Sequence, residues 1–127
     1  MPAPFTYFDG GSTANNLQAS SGVTPLATNA STLALAAPNP ANGRNFVTGI
    51  HAVNVSATVG TTFSILDGAT PIWTSFLPAT TAALVEVPIT KVFNTPLRAS
   101  PGNAINVQCG TTGATVYWNL QGFSGQY

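Results

Sequence analysis

His51 and Cys109 are the sole histidine and the sole cysteine of the sequence, and together they form its one possible nucleophile and base pair. Such a pair works only with a group that orients the base and an oxyanion hole beside the thiolate, and no motif around either residue supplies them. Cys109 alternates with Ile105 and Val107, the pattern of a small buried hydrophobe, and His51 lies within a β-branched run as a strand histidine. Asp9, Asp67 and Glu86 are the only carboxylates, and glycoside hydrolysis would need two of them facing one another. Asp67 belongs to an Asp-Gly turn and Asp9 to a Gly-rich stretch. Glu86 falls inside an alternating segment, where a structural ion pair with Arg44, Lys91 or Arg98 is expected. A single cysteine forms no internal disulfide and offers no metal-ligand spacing. The expectation is a protein that is not an enzyme and that holds no cofactor and no metal.

Trp73, Tyr117 and Trp118 raise another chemistry, because exposed aromatic rings on a sheet form a platform for sugar rings. Alternation puts Trp118 with Val116 and Leu120 toward a core and leaves Tyr117 outward with Thr115, Asn119 and Gln121; the facing of Trp73 stays open. The sequons at Asn29 and Asn54 carry no weight in a chain read as lacking a signal peptide. The glycines punctuate turns and build no phosphate loop.

The elements that must position these residues are strands. Residues 46–59 are rich in β-branched side chains, with Val47, His51, Val53 and Val55 on one face and Phe46, Thr48 and Ile50 on the other, which predicts a central strand. Residues 61–66 and 72–77 flank Asp67-Gly68-Ala69-Thr70-Pro71 as a hairpin. Residues 84–89 alternate, with Pro88 predicting an edge or a bulge. Residues 92–98 turn at Pro101-Gly102-Asn103 into Ile105, Val107 and Cys109, and Thr111-Thr112-Gly113 leads to a last strand that reads as another hairpin. With short strands, turns every eight to twelve residues and no helical period, the fold class is all-β, an antiparallel β-sandwich or jelly-roll-like domain.

Residues 1–43 differ in texture. They are rich in Ala, Ser, Thr, Asn and Pro, with strand signals only at residues 5–8 and 32–36, and they are expected to form an extended N-terminal arm on a body spanning 44–127. An arm of that kind contributes intermolecular contacts, so deletion of residues 1–36 should leave the body folded. Phe5, Tyr7, Phe8, Leu33, Leu35, Trp73, Tyr117 and Tyr127 are the expected contact surface.

Composition points the same way. The 127 residues are 44% hydrophobic and only 5% charged, three Lys+Arg against three Asp+Glu, where ordinary domains carry roughly 25% charged residues. Near-zero net charge favours association, and edge strands poor in Lys invite pairing unless covered. Three cations neutralise few phosphates, so no nucleic-acid partner is expected. No apolar run reaches the roughly 18 residues of a membrane span, and no membrane partner is expected.

The runs Gly43-Arg44-Asn45-Phe46-Val47-Thr48-Gly49-Ile50-His51, Ile65-Leu66-Asp67-Gly68 with Ile72-Trp73, residues 97–107 around Pro101-Gly102-Asn103, and residues 113–123 ending Gln121-Gly122-Phe123 resemble small β-sandwich virion proteins of tailed bacteriophages, of the head decoration or cement type. The resemblance covers roughly residues 43–123 and rests on strand order and turn placement. It implies a capsid decoration protein that binds the major capsid protein on the outside of the shell, self-associates as a homotrimer, stabilises the head, and is made in the host cytoplasm. An alternative is a carbohydrate- or receptor-binding module of a phage fibre or surface assembly.

Overall fold

The computed structural model describes residues 16–39, 41–80 and 86–125. Eight strands occur in it: β1 Asn16–Ser20, β2 Thr32–Leu35, β3 Arg44–Asn54, β4 Thr61–Asp67, β5 Thr70–Leu77, β6 Ile89–Arg98, β7 Ile105–Cys109 and β8 Val116–Gly125. They form two four-stranded sheets ordered β1-β8-β3-β6 and β2-β7-β4-β5. The antiparallel pairs β1·β8, β2·β7, β3·β6 and β4·β5 are nested. The chain is therefore one long hairpin, turned at Asp67-Gly68 with Gly68 at φ 62°, and rolled until β3 meets β8 and β4 meets β7. This nesting is the jelly-roll arrangement.

The core lies between the sheets and is built from alternate residues. Val116, Trp118 and Leu120 of β8 and Ile105, Val107 and Cys109 of β7 are buried against Phe63 and Ile65 of β4 and Ile50 and Ala52 of β3. Each large apolar side chain buried there contributes about 1.5–3 kcal/mol relative to exposure.

The expected face of β3 is corrected by a bulge. The register shifts between Val47 and Gly49 against both neighbouring strands, and one extra residue reverses which side chains point inward. Asn45 and Val47 face the core before the shift, and Ile50, Ala52 and Asn54 face it afterwards, all of them buried. His51 and Val53 consequently leave the face that they were expected to share with Val47. Phe46 points away from the core and is covered by Phe123, with ring centroids 4.7 Å apart and stacked.

The boundary expected at residue 43 does not divide the structure. β1 and β2 are edge strands of the two sheets, Leu26 and Leu35 are core residues, and Leu17 and Ala19 pack against the core. Leu26 also bridges Val116, its N–H donating to the Val116 carbonyl at 2.8 Å. A segment sparse in large side chains suffices because a short edge strand needs only one apolar residue in two, and its backbone bonds come from the strand beside it. Residues 1–15 lie outside the described residues.

Two further expectations change. β7 and β8 lie in different sheets, so the Thr111-Thr112-Gly113 segment crosses between sheets where a hairpin was expected. The strand expected over residues 84–89 begins only at Ile89; residues 86–88 are irregular, and the preceding five lie outside the described residues.

Candidate functional site

The possible catalytic pair does not converge. His51 is on the outer face of the first sheet, where its Nδ1 is 2.8 Å from Thr90 Oγ1. Cys109 is fully buried on the inner face of the second sheet, and its thiol donates to the Thr28 carbonyl at 2.9 Å. Burial pushes the Cys109 thiol above its ordinary pKa, against hydrogen bonds that lower it.

Asp67 ties together one end of the sandwich. Its Oδ2 accepts from Ser100 N at 3.0 Å and Ser100 Oγ at 2.8 Å, and its Oδ1 accepts from Asn103 Nδ2 at 2.9 Å. Burial pushes this carboxyl up, but those bonds, from Asn103 first and then Ser100, together with the Arg44 charge, outweigh it and hold the pKa below the ordinary value. Arg44 itself donates to the Ala99 carbonyl at 3.1 Å. The ion pair expected of Glu86 does not form among the described residues, where Glu86 is exposed.

Of the expected contact surface, Phe5, Tyr7, Phe8 and Tyr127 lie outside the described residues. Leu33 is 59% exposed, whereas Leu35 is only 3% exposed and belongs to the core. A register shift in β2 separates them: Leu33 lies opposite Asn106, and Leu35 lies opposite the buried Ile105. Trp73 is half-buried with its ring edge-on to Phe93 at 5.7 Å, so it closes the β5–β6 side of the sandwich. Tyr117 is half-buried on β8, beside Val53 of β3.

The outer face that carries Tyr117 holds a set of side chains that sequence reasoning did not single out. Cross-strand register aligns Ser20, Asn119, His51 and Thr90 in one row across all four strands, and Gln18, Gln121, Gly49 and Val92 in the next. A depression of about 420 Å³ lies over the β1–β8 part of these rows, lined by Gln18, Ala19, Ser20, Asn119, Leu120 and Gln121. The amides of Gln18, Asn119 and Gln121 make no hydrogen bond within the chain among the described residues. Neither row carries an Asp, Glu, Lys or Arg side chain. Alternation alone put Asn119 and Gln121 outward. The available signal was the placement of two amides, one of them an Asn, on the exposed face of a strand, where β-branched side chains pack better.

The second sheet's outer face differs. Asn106 Nδ2 donates to the Gly68 carbonyl at 2.7 Å, Gln108 donates to the Asn29 carbonyl, and Ser64 and Thr74 pair through their hydroxyls at 2.8 Å. Its amides serve the fold.

Among the described residues no group of three His, Cys, Asp or Glu could hold a metal ion, and no helix is long and apolar enough to cross a membrane. Compared with models of protein families, the chain matches none. Neither a curated protein nor a solved structure matches it.

Proposed function

We propose that this chain is a non-enzymatic structural protein of a phage virion, a jelly-roll decoration subunit that binds the outside of the capsid shell and stabilises it. The observation that carries this reading is how thinly charge is spread over the sheets: β1, β2, β5, β7 and β8 contain no ionic side chain, β4 only the terminal Asp67, and β3 and β6 only Arg44, Lys91 and Arg98. A surface of that kind offers neighbours little repulsion and little ionic steering, so affinity comes mainly from buried area and neutral hydrogen bonds. A contact of about 1,600 Å² is enough for a stable, specific interface. The jelly roll is an architecture shared by viral capsid and lectin domains, which supports the reading by analogy of fold alone.

The partners proposed are the major capsid protein and two further copies of the chain in a homotrimer. The test is gradient sedimentation of the particles made together with the protein, at low salt and in 0.5 M NaCl, with light scattering of the free protein. Co-sedimentation unchanged by salt, and a free mass of three chains, are the expected results. A protein that stays at the top of the gradient, or that salt alone strips from the particles, overturns the reading.

A further inference from the structure

We propose that the outer face of the first sheet binds neutral carbohydrate, through the amides of Gln18, Asn119 and Gln121 with the Tyr117 ring beside them. This goes beyond the assembly reading and does not depend on it.

Geometry supplies the first reason. Gln18 and Gln121 are directly opposed across β1 and β8, which puts their Cβ atoms about 5 Å apart, and Asn119 follows two residues along β8, about 7 Å away. Three primary amides thus form a compact triangle on a rigid backbone. Each offers a carbonyl acceptor and an NH2 donor, the complement of adjacent sugar hydroxyls, which both donate and accept. Tyr117 points to the same side of β8 and offers a ring face to the apolar edge of a pyranose. Gly49, next to Gln121 in the second row, raises no side chain over the floor of the site.

Cost supplies the second reason. Asn is disfavoured in strands, and a Gln side chain loses about 1.5–2 kcal/mol of rotamer freedom if held still. On the opposite outer face Asn106 and Gln108 recover such a cost by bonding loop carbonyls. Gln18, Asn119 and Gln121 make no such bond among the described residues and are exposed, so their amides stand free to meet a ligand outside the chain.

Charge selects the ligand. With no Asp, Glu, Lys or Arg in either row, an anionic or cationic ligand would lose hydration without a fixed counter-charge. An apolar ligand would desolvate three amides and leave them unpaired. A neutral polyol avoids both penalties.

The test uses the full chain against an array of neutral oligosaccharides, including cellohexaose, maltohexaose, mannopentaose and chitohexaose, with heparin and polysialic acid as anionic controls. Titration calorimetry follows on the neutral oligosaccharide that gives the strongest signal. The expected result is micromolar to millimolar binding to at least one neutral oligosaccharide, insensitive to salt. It should weaken about tenfold in Asn119→Ala and in Gln121→Ala, the loss of one to two hydrogen bonds. Thr74→Ala, on the opposite outer face, should bind as the parent does. Thermal melts of the same variants show that each is folded. The inference is overturned if no neutral oligosaccharide binds at about 10 mM, if the amide variants bind undiminished, or if the anionic controls bind more tightly. It is equally overturned if Asn119→Ala dissociates a homo-oligomer in light scattering, because the face would then be covered by another copy.

Discussion

The same side chain chemistry serves opposite ends in two regions of this molecule. At the two ends of β3, Asn45 and Asn54 are fully or almost fully buried, and the chain saturates them. Asn54 Nδ2 donates to Val59 O at 2.7 Å and Leu77 O at 3.4 Å, while its Oδ1 accepts from Ser56 N at 3.0 Å and Thr115 N at 3.1 Å. Asn45 Nδ2 donates to Ala36 O at 2.9 Å and Asn103 O at 3.3 Å, and its Oδ1 accepts from Ser124 Oγ at 2.7 Å. On the outer face of the first sheet, Gln18, Asn119 and Gln121 carry the same group and bond nothing among the described residues. In a protein almost without ions, amides do the work that charges do elsewhere. Within the first sheet the register separates the two sets: Asn45 and Asn54, turned inward, are bonded by the chain, and the outward Gln18, Asn119 and Gln121 are not, among the described residues.

The sharpest way to break the comparison is to change that register. Asn45 and Asn54 are nine positions apart, an odd number, so in a regular strand they would face opposite sides. The bulge at Thr48 is what lets both face inward. Deletion of Thr48 should therefore abolish cooperative unfolding, since it turns half of the inward set of β3 to solvent. Near-UV circular dichroism and a thermal melt check it; a melting temperature within a few degrees of the parent would refute the account. Deletion of residues 1–36 should be equally severe, contrary to the expectation from an arm, because it removes β1, β2, Leu26 and Leu35, and with them the Ala36 carbonyl that Asn45 bonds.

Asn54→Ala is next in size. Four backbone groups lose their partner, and partial relaxation leaves an expected cost of about 3–5 kcal/mol, measured by denaturant unfolding. Asn45→Ala, with three bonds lost and a half-exposed Ser124 among its partners, should cost about 2–3 kcal/mol.

Asp67 distinguishes the two ends by pH. It stands with Asn103 and Arg44 at the Asn45 end, and among the described residues no ionisable group bonds Asn54. Because its pKa is lowered in the folded state, its contribution is complete above the unfolded value of about 3.9 and is lost as the pH falls through the lower native value. Asp67→Asn should cost about 1 kcal/mol at neutral pH, modest because the site is half-exposed. The same change should flatten the fall of melting temperature below about pH 4. An acid profile identical to the parent's would mean that the carboxylate bonds contribute nothing.

These bonds explain what was legible beforehand. The period-two patterns of Ile105, Val107 and Cys109 and of Val116, Trp118 and Leu120 located β7 and β8 and their inward residues, and Asp67-Gly68 located the hairpin at which the jelly roll is folded. The bulges in β2 and β3 were not legible, since one extra residue leaves no mark in composition, and they misplaced Leu35, His51 and Val53. Sheet membership of β7 and β8 was not legible either: a short polar connection suits a hairpin and a crossover alike. The amide triangle was beyond reach because Gln18 lies about a hundred positions from Asn119 and Gln121, and only the pairing of β1 with β8 unites them.

The smallest expected effect bears on the outer amides. Asn119→Thr and Gln121→Thr bring in a β-branched residue of better strand propensity, in positions where no bond among the described residues is lost. Each should leave stability unchanged or raise it by up to about 0.5 kcal/mol, measured by denaturant unfolding alongside Asn54→Ala. If either instead destabilises by more than about 1 kcal/mol, the amide serves the fold after all, and the contrast between the ends of β3 and the outer face collapses. If stability holds or rises, the fold does as well without these amides, and the outer face is left free of any structural duty that binding a ligand would disturb.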